Sequence, residues 1–444
     1  MVTVENGFVF REPSEKSRDV MRRDVKSISP SYTRSYGFAI SHGKGSEVWD
    51  VDGNRYIDFA AGIAVLATGY SHPRVVEAVK TQAEKYFHIG STDFFCPQPV
   101  RLAEKLQQVV PIHNATNPDD KLTYFANSGT ESVETALKLA RYYDNKRSHL
   151  IAFYGAFHGR TMGSLSLTAS KYTQRAGYDY IPGGVSHVPY PARNEGDKWT
   201  DAVAFIEKFV FKKVSPKEVA AVIVEPIQGE GGYLVPHDDF FPRLRELCDK
   251  HGILIIADEI QSGVGRTGTF TALEHFGVSA DIVCLAKGLG SGIPIGAVVA
   301  HKDIMGKWIP GAHASTFGGN PIACAAANET ISIIEESLLD NVNTLGSYTY
   351  DRLTKFMGDH PSMTRVDGKG FMIGMDFTDA DGKPAPDFRN EVVNKCYLKG
   401  LLTLGCGTSG IRFSPPLVLT RELLEEGLDI LEHAIAETEE EMFG

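Results

Sequence analysis

The sequence predicts an α/β protein: one large domain with a mostly parallel sheet flanked by helices, and a small α+β domain built from both termini. Three observations carry this. Between residues 121 and 300, short apolar runs rich in Val, Ile and Ala alternate with amphipathic stretches, the pattern of strand–helix–strand units. The segments before residue 70 and after residue 336 lack that alternation. With 444 residues, 42% hydrophobic and 23% charged, the chain is long enough to bury a sizeable core, and its 44 glycines and 22 prolines imply many turns.

EVWDVDGNRYIDF places alternating apolar residues around Asp52-Gly53, a hairpin turn signal, and helical patterning starts near Pro73. KLTYFANSG then reads as a strand running into the helix ESVETALKLARYY, with Ser128 or Asn127 as N-cap and Val133, Ala136, Leu137 and Ala140 on one face. HLIAFYGAFHG, VAAVIVEPI, GILIIADE and ADIVCLAKG follow as strands, with the helix FPRLRELCDKHG among them. DIVCLAKGLGSGIPIGAVVA is two buried strands around a glycine-rich turn. After the helix NPIACAAANETISIIEE a new unit starts near Ser337, with GFMIGMDF as a strand and RELLEEGLDILEHAIAETEEE as a closing helix. The expected division is residues 1–69 as the N-terminal segment of the small domain, 70–336 as the large domain and 337–444 as the C-terminal part of the small domain.

The formal net charge of -11 and the lack of clustered Lys and Arg speak against nucleic acid as a partner. Six cysteines without a CxxC pair suit a reducing compartment and no metal site. The first twenty residues alternate apolar and charged types without a signal-peptide core, and no stretch approaches the roughly 18 apolar residues of a membrane span. The expectation is a cytoplasmic protein with no membrane partner.

Ligands of an open parallel sheet bind beyond the carboxyl ends of its strands, and here those ends are polar. KLTYF is followed by Asn127, Ser128, Gly129 and Thr130; LIAFY by Phe157, His158 and Arg160; VIVEP by Gln228 and Glu230; ILIIA by Asp258, Glu259 and Gln261; DIVCLA by Lys287. A lysine is rarely buried without a partner, so Lys287 either faces water from a loop or serves a site that uses its amine. The helix that opens at NSGT can hold a phosphate on its free N–H groups, or it is an ordinary capped helix. GVGRTG, residues 263–268, matches GxGxxG, the remote pointer to an NAD-dependent dehydrogenase. Its context argues against that: Asp258, Glu259 and Gln261 intervene after the strand, and no long helix opens. Pyridoxal phosphate needs a lysine, a carboxylate for its ring nitrogen and an anion site for its phosphate, and Lys287, Asp258 and the NSGT helix offer all three.

NSGTES, FYGAFHGRT, EPIQGEGG, ADEIQSGVGRTG, AKGLGSGIPIGA, STFGGNPIACAAA and GIRFSPPL resemble, in that order, the motif series of class III (ω-amino acid) aminotransferases across nearly the whole chain. The wording of GIAVLATGYSHP and TFGGNPIACAAA is most similar to the 4-aminobutyrate group, with ornithine-type enzymes and amino acid racemases as near relatives. The resemblance implies the PLP-dependent transferase fold type I and pyridoxal 5'-phosphate as cofactor. It makes Lys287 the Schiff-base lysine and proton carrier, Asp258 the partner of the ring nitrogen, Gln261 a partner of the ring hydroxyl and Phe157 a stacking residue, with His158 also against the cofactor. Ser128, Gly129 and Thr130 would hold the phosphate, joined by Thr316 from a second subunit of a homodimer or dimer of dimers with shared active sites.

For the substrate, the resemblance assigns Arg412 to the α-carboxylate, Arg160 to the distal carboxylate, Glu230 to a gate that pairs with Arg412, and Ile63 to the substrate pocket. Bidentate pairing explains why arginine rather than lysine stands at such positions. The implied reaction moves the amino group of an ω-amino acid, 4-aminobutyrate foremost, to 2-oxoglutarate in a ping-pong cycle through a pyridoxamine form. The alternative is a racemase or epimerase on the same fold, which shares Lys287, Asp258 and the phosphate site but needs a second acid or base. Related racemases place an aspartate in the segment where Glu230 stands here. Ser132 and Ser291 depart from the usual family wording without touching these assignments.

Overall fold

VAAVIV, LIIAD and IVCL are apolar almost throughout, so as strands they demand cover on both faces, and each is buried along its whole length. The computed structural model describes residues 2–5, 8–11, 13–178, 181–193 and 201–443, so the reading of the first twenty residues rests partly on positions outside the described set. Seventeen strands occur among the described residues. β1 (Val2–Glu5) and β2 (Phe8–Arg11) form an antiparallel pair. β3 (Ile40–Lys44), β4 (Glu47–Asp50) and β5 (Arg55–Asp58) form a meander, whose β4–β5 turn is the Asp52-Gly53 hairpin.

The central sheet takes β6 (Lys121–Ala126), β7 (His149–Phe153), β8 (Val185–Val188), β9 (Val219–Val224), β10 (Leu254–Asp258), β11 (Ile282–Leu285) and β12 (Gly296–His301) in the order β6-β12-β11-β10-β9-β7-β8. Pairs from β11 to β8 are parallel, and only β12 runs against its neighbours. The reversal sets the start of β12 beside the ends of β6 and β11, with Gly296 opposite Ala126 and Ala297 opposite Leu285. Lys287 thus leaves β11 at the rim where all the parallel strands end.

β13 (Met363–Lys369), β14 (Met372–Phe377), β16 (Leu404–Cys406) and β17 (Gly410–Phe413) make a separate antiparallel sheet. β15 (Leu401–Leu402) crosses to β5, pairing Leu401 with Ile57 and tying the C-terminal region to the N-terminal meander. The expected start of a new unit near Ser337 falls inside an unbroken helical run: Pro321–Ile333, a π turn at Ile334–Leu338, then Leu339–Asp359. A π turn adds one residue per turn without a Gly or Pro, so no local signal marks it. All six cysteines are buried and free, and among the described residues no helix is long and apolar enough to cross a membrane.

The closing helix Arg421–Phe443 carries Gly427 on its buried face, where a Cβ would lie 2.3 Å from Cζ of Phe59. Phe59 is 1% exposed and set edge-on against Phe413, so it has little room to move. Helix propensity favours alanine over glycine by about 1 kcal/mol, whereas overpacking a filled core costs about 1–3 kcal/mol. Packing wins this comparison: Gly427→Ala is expected to lower the urea midpoint at unchanged slope, and a rise in the midpoint would show that Phe59 can yield.

Candidate active site

Five strand ends converge on a cavity of about 260 Å³ whose wall includes Gly129, Thr130, Phe157, His158, Arg160, Glu225, Glu230, Asp258, Ile260, Gln261 and Lys287. The floor is Asp258, the last residue of β10 and 4% exposed. Its Oδ2 lies 2.7 Å from Nδ1 of His158 and its Oδ1 accepts the Ile260 N–H at 3.1 Å. Burial works against a charge on His158, but the hydrogen bond and charge of Asp258 prevail and hold the imidazole above its ordinary value. Glu259, one residue on, turns to the opposite face and accepts from the Ser262 hydroxyl and the Leu273 N–H. The period of two at a strand end decides which acid enters the cavity.

Lys287 is half-buried and has φ of +37°, a left-handed backbone that a non-glycine side chain adopts only where its surroundings impose it. Desolvation pushes its amine down to about 8, partly opposed by Glu230. Ser128 caps the helix Gly129–Tyr143 through the Glu131 N–H, and the first-turn N–H groups of Gly129 and Thr130 have no intrahelical acceptor. Thr130 Oγ1 sits 2.7 Å from Ser164 Oγ and 2.9 Å from Thr161 Oγ1. A Cβ on Gly129 would meet Ile260 Cγ2 at 2.9 Å, so the glycine makes room for that side chain. Gln261 accepts from the Tyr233 hydroxyl at 2.8 Å, which leaves its amide nitrogen to donate.

At the mouth, Arg160 is exposed, its guanidinium 5.7 Å from the Phe157 ring centroid, and no acidic partner reaches it among the described residues. Arg412, on β17 and 5% exposed, donates to Glu230 Oε1 at 2.8 Å and to the Gly405 carbonyl at 2.8 Å. Burial would raise the Glu230 carboxyl, but the Arg412 charge and hydrogen bond hold it below its ordinary value. Ser128, Arg412, Ile63 and Thr316 stand outside this wall, Ser128 as the cap of the helix that enters it and Arg412 behind Glu230. Ile63 belongs to a left-handed turn, Ala61–Ala64, and lines a neighbouring cavity with Tyr36 and Leu404. Thr316 is exposed in a loop anchored at the end of β6, where Asn127 Nδ2 donates to Ser315 Oγ at 3.0 Å.

Glu225 and Ile260 are among the wall residues that went unnoticed in the sequence. Glu225 follows β9 directly, beside Asp258 in the extended register; it accepts the N–H groups of Phe157 and Gly229, and burial pushes its carboxyl up to about 7. The signal was available, since the apolar runs VAAVIV and ILIIA are each followed directly by an acid. Ile260 shares Asp258's face by the same i, i+2 alternation. Ligand atoms of His158, Glu225 and Asp258 lie within 4.8 Å of one another, and His158 Nδ1 is paired with Asp258 Oδ2. GVGRTG forms a buried turn in which Arg266 donates to the carbonyls of Phe371 and Pro415, so it opens no helix toward a dinucleotide.

The model of the class-III aminotransferases matches residues 28–435. The chain belongs to that family. It is 38% identical to the 4-aminobutyrate aminotransferase of Escherichia coli K12 over 96% of this chain and 99% of that one. It is also 36% identical to an alanine/serine racemase of Pyrococcus horikoshii, over 97% and 92% of the two chains. The crystal structure of the ornithine aminotransferase from Toxoplasma gondii ME49 superposes with a TM-score of 0.85 at 31% identity, covering 96% of this chain and 97% of that one. The cofactor of this class-III family member is pyridoxal 5'-phosphate. The cavity suits that group by its own chemistry: a buried carboxylate, a half-buried amine, apolar side chains at Phe157 and Ile260, and a capped helix N-terminus.

Proposed function

We infer that this class-III aminotransferase moves the amino group of an ω-amino acid, 4-aminobutyrate foremost, to 2-oxoglutarate, giving the semialdehyde and glutamate. The observation that carries this reading is the Glu230–Arg412 ion pair facing an Arg160 that has no acidic partner among the described residues. When bound, pyridoxal 5'-phosphate supplies the carbonyl that takes up the amino group and the conjugated ring that spreads the electron pair left on carbon. Lys287 moves the proton at its Nζ. Asp258, oriented by His158, keeps a proton on the ring nitrogen, and Gln261 donates its amide to the ring hydroxyl. The first-turn N–H groups of Gly129 and Thr130, with the Ser128 cap, bind the phosphate.

An ω-amino acid carries one carboxylate, which Arg160 binds, so Glu230 stays on Arg412. 2-Oxoglutarate carries two, and the second displaces Glu230. One pocket thereby serves both substrates. Glu230→Gln is expected to slow the 4-aminobutyrate half-reaction about tenfold more than the glutamate half-reaction, because Arg412 is left uncompensated only when no α-carboxylate is present. Arg160→Lys should weaken both, since a point charge replaces a planar fork. Single-turnover rates for each half-reaction test both variants. If the protein forms no glutamate from any ω-amine but exchanges the α-proton of an L-amino acid and yields its enantiomer, the racemase reading replaces this one.

The same reading includes a cytoplasmic homodimer in which Thr316 completes the neighbour's phosphate site. Phe87 and Phe317 are exposed, and the Asn320–Phe87 hydrogen bond and the His88–Phe317 ring contact join their loops beside Thr316 into an apolar surface of the kind that a second subunit covers.

A further inference from the structure

The gate needs a second position. A half-buried carboxylate driven off its arginine by an incoming carboxylate of the same sign must find another cation or leave for water. Glu230 already touches one: while Oε1 holds Arg412 at 2.8 Å, Oε2 lies 3.7 Å from Nζ of Lys171. Lys171 is 44% exposed, so its long side chain is free to follow the carboxylate, and its charge adds to that of Arg412 in holding the Glu230 carboxyl down. It also lines a cavity of about 550 Å³ with Tyr36, Arg389, Leu404 and Gly405. Gly405 is the residue whose carbonyl accepts from Arg412, so this cavity adjoins the gate and offers space for a side-chain swing.

We propose that Lys171 is the acceptor of the displaced gate: the positioning residue that takes Glu230 when a dicarboxylate occupies Arg412. This rests on the gate reading above. The motion has a short path, because the carboxylate bridges both cations before any substrate arrives and turns about its own side chain. Lys171 therefore sets the preference between dicarboxylates and ω-amino acids while it touches neither.

The test uses unreactive ligands on the holoenzyme, followed by calorimetry: glutarate, which engages both arginines, and butyrate, which engages only Arg160. Lys171→Met is expected to weaken glutarate about fivefold, the upper range for a partly exposed ion pair, and butyrate by under about twofold. Lys171→Arg should restore glutarate binding. In a Glu230→Gln background the Lys171→Met effect on glutarate should vanish, because no charge remains to be received. Equal weakening of both ligands would overturn the proposal by making Lys171 a direct partner of the distal carboxylate. No weakening of either, in a protein whose Glu230→Gln variant still shows the gate effect, would overturn it by making the lysine a bystander. If Glu230→Gln shifts neither ligand nor half-reaction, the gate reading itself fails, and the proposal falls with it.

Discussion

Lys287→Ala is expected to lower the turnover number by about 10⁴-fold, the upper range for loss of a positioned proton carrier, while the protein stays folded. Among the described residues Lys287 is the only lysine in the cavity wall, and with its amine pushed down to about 8 a usable fraction is free base near neutral pH. Borohydride reduction with peptide mapping should mark Lys287 in the wild type and no lysine in the variant; a marked lysine elsewhere would remove Lys287 from the chemistry. The depressed amine also has a stability consequence. Below about 8 the folded cofactor-free protein holds a desolvated ammonium that the unfolded chain solvates, and this penalty fades as pH rises from about 8 to 10.5. Cofactor-free Lys287→Met should therefore melt higher than the wild type at pH 7, with the gap closing toward pH 10.5. A gap that does not depend on pH would assign the gain to packing.

Asp258→Asn keeps the size of the side chain and removes its charge. The expected loss is about 10²–10³-fold in turnover, about 3–4 kcal/mol of barrier, with cofactor affinity less affected. Asp258 is 4% exposed and lies 2.7 Å from His158 Nδ1, so the same change strips the imidazole of the partner that offsets its burial. Ring-nitrogen chemical shifts of His158 should report loss of its proton alongside the fall in turnover. Near-normal turnover would show that another group serves the cofactor's ring nitrogen.

Asp258 and Lys287 were legible because β10 and β11 are parallel neighbours, with Asp258 opposite Cys284, so residues that end their strands arrive at one rim. Glu225 ends its strand in the same way and was passed over for the polar residues after it. Glu259 looked equivalent to Asp258, yet its side chain serves Ser262 and Leu273 on the far face. The expected start of a new unit near Ser337 falls within the π turn at Ile334–Leu338, which carries no breaker and continues the helix. Ser291 departs from family wording but fits: its αL backbone, φ +45°, is locked by hydrogen bonds with Thr68.

Strand and helix order, the polar rim and the lysine–aspartate–helix triad follow from the amino-acid order alone, because periodicity, capping and turn chemistry act between residues a few positions apart. Motif resemblance named the Glu230–Arg412 pair, but only the folded chain shows it made, since Glu230 lies in the loop after β9 and Arg412 on β17 of another sheet, and they meet across 182 positions of sequence. The third member, Lys171, has no motif and no periodicity to announce it. Its place beside Glu230 depends on how two loops pack over the cavity, and side-chain contact at a few ångströms between such loops is a property of the whole fold.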